Sequence, residues 1–194
     1  MQTDYISKIK SWLKQSLDEE RYIHSVATAK TAEEIAQIVG YDREKAYFTG
    51  LVHDCAKNLT TDEQLALISK GWIKLENGEK ENKKVLHAPA GAVLMKEKFG
   101  IGNKEIFDAI RWHTIGRLGM SKLEKIIFLA DKIEPATRNK YDYNRRMALL
   151  REKNGLEKNI LECYAYTIKS LVERKLTICP KTIDIYNEFL KFSE

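Results

Sequence analysis

Cysteine, proline and glycine are scarce in this sequence, and each scarcity closes off a class of protein. Three cysteines among 194 residues, Cys55, Cys163 and Cys179, are odd in number and unrelated in spacing. Neither a disulfide framework nor a cysteine-based zinc site is indicated, and the three read as reduced thiols of a cytoplasmic protein. Only three prolines and ten glycines interrupt the chain, which leaves room for many helices. Long apolar runs are missing too: the longest, Ile126 to Ala130, falls far short of the roughly 20 residues that cross a bilayer. The N-terminal MQTDYISKIKSWLKQ has no cationic head followed by an apolar stretch, so neither secretion nor a membrane partner is expected. Charge of one sign is in only mild excess, at +5, and the basic residues are interleaved with acids. That favours an anionic partner, a nucleotide, a nucleic acid or an acidic protein surface, although solvation of a lysine-rich surface explains most of the excess; no basic stripe interleaved with aromatics, the mark of a nucleic-acid binder, is evident.

The length suits one domain, 1–194, and the 43% hydrophobic and 31% charged composition suits a globular one. Apolar residues recur at helical spacing nearly throughout: Ile6, Ile9, Leu13 and Leu17; Ile35, Ile38 and Val39; Ile106, Ala109 and Ile110; Leu123, Ile126, Ile127 and Ala130. A long stripe from Leu156 to Val172 and a shorter one around Ile183, Tyr186 and Phe189 follow. No comparable strand pattern occurs, and the spacing predicts an all-α helical bundle. Gly40, Asn58, Gly100, Gly102 and Pro135 mark the expected helix ends. The segment 71–84, GWIKLENGEKENKK, is polar and charged, and is expected to be a surface loop, either a tolerated insertion or a lid.

The chain has four histidines, and each extends an apolar stripe. His113 continues Ile106, Ala109 and Ile110; His24 begins the face of Ala27, Thr28, Thr31 and Ile35; His87 shares a face with Ala90, Gly91 and Leu94; His53 follows Ala46 and Gly50. Asp131 falls on the stripe of Leu123 and Ile127, and Asp54 adjoins His53. Burying a carboxylate is costly unless a cation, hydrogen-bond donors or a metal ion compensates it. Any one of these histidines alone reads as a hydrogen-bonded core residue, and either aspartate alone as a helix cap. Four imidazoles and two carboxylates all turned inward suit a transition metal with nitrogen and oxygen ligands.

The segments RYIHS, HDCAK, LHAPAGA, WHTIG and ADKIEPATR, in that order, resemble the HD superfamily of metal-dependent phosphohydrolases over a motif core of about 20–138. Their flanking residues, and the ending CPKTIDIYNEFL within the C-terminal helices of about 142–192, resemble the YqeK family, which hydrolyses diadenosine tetraphosphate symmetrically to two ADP. The resemblance implies an HD-domain helical fold and two transition-metal ions. His24, His53, Asp54 and Asp131 would hold one, Asp54, His87 and His113 the other, with Asp54 as the bridge. It also favours iron, where ligand chemistry alone equally permits manganese or zinc. Lys57 completes the HDxxK pattern and is expected to project beside the metals from a continuing helix, as a catalytic or phosphate-clamping cation. Thr114 and Gly116 offer a hydroxyl and close backbone approach, with an ordinary helix-ending turn as the alternative, and Arg21 and Arg138 are further phosphate candidates. Arg138 stands third after Pro135, where the family usually has its arginine second. A homodimer is compatible with the sequence. Another HD-type nucleotide phosphatase or phosphodiesterase would use the same ligands, and a nucleic-acid-binding module with a degenerate site is the rival of a different class.

Overall fold

The computed structural model describes residues 3–76, 79–80, 82–138 and 140–193. Among them run ten α-helices and no strand: α1 (Thr3–Ser16), α2 (Glu19–Val39), α3 (Arg43–Val52), α4 (Thr61–Lys70), α5 (His87–Phe99), α6 (Lys104–Trp112), α7 (Lys122–Ile133), α8 (Lys140–Leu149), α9 (Gly155–Glu173) and α10 (Pro180–Leu190). No helix is long and apolar enough to cross a membrane among the described residues. The all-α expectation holds, and the stripes seen in sequence become the core. Ile9, Ile35, Leu123, Ile126, Ile127, Leu129 and Ile160 are fully buried in one cluster that extends to Phe189. Each such side chain contributes about 1.5–3 kcal/mol of burial.

Local chemistry sets the helix ends that matter. Asp18 caps α2, with Oδ1 accepting from Arg21 N–H at 2.8 Å. Its Oδ2 accepts from Asn58 Nδ2 at 3.0 Å, so the cap also ties α2 to the segment after α3. Ser121 and Glu124 form a reciprocal capping box at the start of α7. At Gly50, α2 and α3 approach closely: a Cβ there would stand 2.9 Å from Ala29 Cα and 3.0 Å from the Thr28 carbonyl oxygen. Any larger residue would force the two helices apart, and with them His24 and His53.

Two expectations need correction. The helix bearing His53 does not continue through Lys57 to Asn58; it ends at Val52, with His53 as its cap residue. Residues 53–58 instead form successive tight turns, with Lys57 N–H bonded to the Asp54 carbonyl at 2.9 Å and Cys55 N–H to that of Val52 at 3.1 Å. The segment 71–84 is not a purely polar surface loop either. Trp72 is 94% exposed, but Glu79 is 0% exposed and forms a two-pronged ion pair with the buried Arg111 of α6. A carboxylate so placed is tolerable because the guanidinium matches both of its oxygens. Residues 77, 78 and 81 of this segment lie outside the described residues.

Candidate metal centre

The fold gathers all six candidate ligands. His24 lies one turn into α2, His53 and Asp54 follow α3, His87 opens α5, His113 follows α6 and Asp131 lies near the end of α7. The four histidines and Asp54 are at most 3% exposed. Asp54 stands between two histidine pairs: its Oδ1 is 3.0 Å from His87 Nε2 and 3.4 Å from His113 Nε2, while its Oδ2 is 3.9 Å from Nε2 of both His24 and His53. Asp131 Oδ1 lies 3.0 Å from His24 Nε2 and 3.7 Å from His53 Nε2.

The outer face of every ring is already committed. Nδ1 of His53 bonds the Gly50 carbonyl at 2.7 Å, that of His87 the Lys84 carbonyl at 2.9 Å, and that of His113 the Ile110 carbonyl at 2.8 Å. His24 Nδ1 faces Glu134 Oε1 at 3.0 Å. Carbonyls and carboxylates only accept, so each Nδ1 donates, and a neutral ring is left with a lone pair on Nε2. These lone pairs meet other acceptors: His87 Nε2 is 3.2 Å from His113 Nε2, and the buried Nε2 atoms of His24 and His53 face the carboxylate oxygens of Asp54 and Asp131. Acceptors facing acceptors in a dry pocket need a cation between them. Two triads, His24–His53–Asp131 and His53–Asp54–His113, have ligand atoms close enough to share an ion. Three imidazole-type donors with carboxylates and no thiol fit a divalent metal.

Protons answer the same problem unevenly. Burial works against a charged His24, but hydrogen bonds to Asp131 and Glu134 outweigh it and raise its pKa to about 9. Burial instead pushes His113 down to about 4. Burial also opposes the Asp54 and Asp131 carboxylates. The charge of His53 and the hydrogen bonds of His113 and His87 nevertheless hold Asp54 well below the usual carboxylate range, and those of His24 and His53 do the same for Asp131.

Three of the cation candidates reach the cluster. Arg21 Nη1 is 3.7 Å from Asp54 Oδ2. Lys57 Nζ is 3.2 Å from both ring nitrogens of His87, and burial lowers its pKa. Arg138 holds the Asp131 carbonyl at 3.1 Å through Nε and Oδ1 at 3.4 Å through Nη2. Neither Thr114 nor Gly116 bonds to the cluster among the described residues. The Thr114 hydroxyl is buried and without a hydrogen-bond partner among the described residues. Gly116 has φ +68, and a Cβ there would fall 2.1 Å from the Tyr164 hydroxyl oxygen, whose proton goes to the Ile115 carbonyl at 2.8 Å. The fold alone accounts for that glycine.

Sequence reasoning gave no role to Glu134 or Lys132. Glu134 is 0% exposed, accepts from Ala136 N–H at 2.7 Å, and is bonded also by the Thr137 hydroxyl. Its signal was the acid before Pro135, at a helix end where a carboxylate has no dipole reason to be. Lys132 Nζ lies 3.6 Å from Asp131 Oδ2 and 3.7 Å from the centre of the Phe128 ring.

Comparison with known proteins places this geometry. The HD domain model matches residues 21–136. The chain is 35% identical to the symmetrical bis(5'-nucleosyl)-tetraphosphatase of Staphylococcus aureus, over 95% of this chain and 94% of that one. It is also 35% identical to the protein of the same description from Bacillus subtilis, over 90% and 92%. A crystal structure from Clostridium acetobutylicum, described as a predicted HD superfamily hydrolase involved in NAD metabolism, superposes with a TM-score of 0.87 at 34% identity, covering 97% of this chain and 98% of that one. The chain therefore belongs to the HD-domain family of metal-binding hydrolases, in the same branch as these symmetrical tetraphosphatases.

Proposed function

We propose that this chain hydrolyses dinucleoside tetraphosphates, diadenosine tetraphosphate among them, at the central anhydride to give two nucleoside diphosphates. The observation that carries the reading is the convergence of four Nε2 atoms on Asp54 and Asp131, with Arg21, Lys57 and Arg138 around them. Relatives alike over nearly their whole length bear the corresponding activity in their descriptions.

In this reading His24, His53, Asp54 and Asp131 would hold one metal ion, and Asp54, His87 and His113 would hold a second. Support for Asp54 as the bridge comes from its two oxygens, each turned to a different histidine pair. Iron is favoured through the family resemblance, and the donors accept manganese or zinc as well. When bound, the metals supply Lewis acidity toward phosphate oxygens and lower the pKa of water. The chain's own residues do the rest. Nδ1 donation locks each ring so that Nε2 cannot turn away. Arg21, Lys57 and Arg138 offer fixed positive charge to a tetraphosphate and to the charge that grows on the departing diphosphate. Half-burial of Lys57 strengthens that attraction by excluding water from it.

The proposal extends to the chain acting as one domain in the cytoplasm. A single apolar cluster from Ile9 to Phe189 supports the first part, and buried free thiols at Cys55 and Cys163 suit the second. The test is incubation of the metal-loaded protein with diadenosine tetraphosphate and separation of the nucleotides. ADP as the sole product is expected; AMP and ATP in equal amounts would refute symmetrical cleavage.

A further inference from the structure

The turn that follows His113 is held from outside the cluster. Gly116 N–H closes it on the Trp112 carbonyl at 2.8 Å, and the half-buried Ile115 gives its carbonyl to the Tyr164 hydroxyl at 2.8 Å. Tyr164 belongs to α9, which carries no candidate ligand and lies beyond the residues 21–136 that match the HD domain. It is 3% exposed, and burial pushes its phenol up, so the hydroxyl keeps its proton and donates. Space for it exists because residue 116 is a glycine in the left-handed region, where a Cβ would run into the hydroxyl. The same stretch is held a few residues on by α10, where Gly119 N–H bonds Glu188 Oε2 at 3.0 Å.

The ring of Tyr164 is committed as well as its hydroxyl. It stacks on Phe128 of α7, with centroids 5.2 Å apart and planes 8° from parallel, the geometry of an offset aromatic pair. Phe128 is itself buried, and the Lys132 ammonium lies 3.7 Å from the centre of its ring, within reach of a cation–π attraction. That ammonium stands 3.6 Å from Asp131 Oδ2, while Oδ1 of the same carboxylate faces His24 and His53. One side chain is thus tied by its hydroxyl to the turn bearing His113 and by its ring, through Phe128 and Lys132, to Asp131. These are candidate ligands from the two different halves of the cluster.

We propose that Tyr164 is a positioning residue for the metal centre: its hydroxyl fixes the turn that presents His113, and its ring fixes that turn against the helix that presents Asp131. The inference rests on the reading of the cluster as a two-metal site. Ligands carried on separate helices keep their spacing only if those helices are fixed against each other, and a site left loose by its supporting residues binds metal less tightly. Tyr164 supplies that support without touching a ligand.

The test removes the hydroxyl alone, with Tyr164→Phe, and then the stacking face, with Tyr164→Leu. Manganese(II) is titrated into the metal-free protein and the free ion is followed by electron paramagnetic resonance. Wild type should bind two ions. Tyr164→Phe should weaken one of them about tenfold, the lower end of what losing the support of a metal ligand does, and leave the other unchanged. In a His113→Ala background, where that site is already lost, the same substitution should have no effect on the remaining ion. Tyr164→Leu should weaken both. In the metal-free protein, hydrogen exchange of amides 114–116 should be about tenfold faster in Tyr164→Phe, with exchange along α2 unchanged. Wild-type affinity at both sites in Tyr164→Phe, even with lower stability to urea, would overturn the proposal by making the tyrosine a core residue only, and so would a further loss in the His113→Ala background. A Tyr164→Leu variant that weakens no more than one site would overturn the link to Asp131. Should wild type bind a single ion, the two-metal reading fails, and exchange at 114–116 still decides whether Tyr164 fixes the turn.

Discussion

The two halves of the cluster are built from the same residue types but supported in different ways. His24 and Asp131 sit within the closely packed α2 and α7, His53 follows α3 with the Gly50 carbonyl behind it, and a buried carboxylate, Glu134, stands behind His24. His87 and His113 sit at helix ends, the first residue of α5 and the residue after α6, with backbone carbonyls behind them and the Lys57 ammonium beside His87. The proton affinities differ as well: hydrogen bonds to Asp131 and Glu134 outweigh burial and raise His24 to about 9, whereas burial lowers His113 to about 4. A carboxylate behind a ring increases its attraction for any cation, whether proton or metal, and a carbonyl does so far less. On the proposed reading the first half would hold a metal firmly, and the second, with fewer protein ligands and Lys57 beside it, would share its metal with substrate.

Removing what the halves have in common should have the largest effect. Asp54→Ala takes away the one carboxylate among the described residues that faces both histidine pairs, so elemental analysis should show loss of both metals and nucleotide hydrolysis should fall to background. Retained metal with retained activity would show that Asp54 is not the bridge. Next comes Glu79→Ala, which strands the buried Arg111 two residues before His113 and frees the segment whose Lys84 carbonyl holds His87. Breaking a buried pair costs about 3–5 kcal/mol, so urea unfolding should show a loss of that size, and metal should leave the His87–His113 half first. Equal weakening of both halves would mean that the loop does not serve one of them in particular. Lys57→Ala sharpens the contrast from the chemical side: both metals should stay, while kcat falls about a hundred- to a thousandfold, as when one donor to a developing charge is removed. A rise in KM alone would make Lys57 a uniform phosphate binder, and full activity would leave it no part in the reaction.

Much of this was legible in the sequence because inward-facing polar residues stand out against an apolar period. Asp131 on the stripe of Leu123 and Ile127 could be read that way, and α7 places it as the stripe predicts. The all-α architecture followed from the same period. Lys57 was read correctly as a neighbour of the cluster but for the wrong local reason, since tight turns rather than a continuing helix carry it there. Hydrogen bonding of that kind leaves no periodic trace. The Glu79–Arg111 pair was invisible because an acid in a lysine-rich loop looks solvated until its partner, 32 residues away, is known. Glu134 was missed for a related reason: its contact with His24 spans 110 residues, and the sequence around it shows only a helix ending at a proline.

The smallest of the expected effects tests the carboxylate that distinguishes the halves. Glu134 Oε1 receives the His24 Nδ1 proton at 3.0 Å, and Oε2 receives the Ala136 N–H at 2.7 Å and the Thr137 N–H at 3.1 Å. Glutamine has the same shape but a single acceptor oxygen, so Glu134→Gln must turn its amide N–H toward one set of donors. If the oxygen stays with the backbone, the amide faces Nδ1, the His24 proton moves to Nε2, and that nitrogen can no longer bind a metal. If the oxygen stays with His24, the tautomer survives, but the charge that made the ring basic is gone and the turn at 136–137 loosens. Either way the His24–His53–Asp131 half should lose about 10- to 100-fold in metal affinity, while the His87–His113 half keeps its own. Competition with a chelator, followed by metal stoichiometry, separates the two: one metal should be withdrawn at a much lower chelator concentration than in wild type. Unchanged withdrawal of both metals would show that the carboxylate behind His24 is a structural anchor of the helix end and that the two halves differ in form alone.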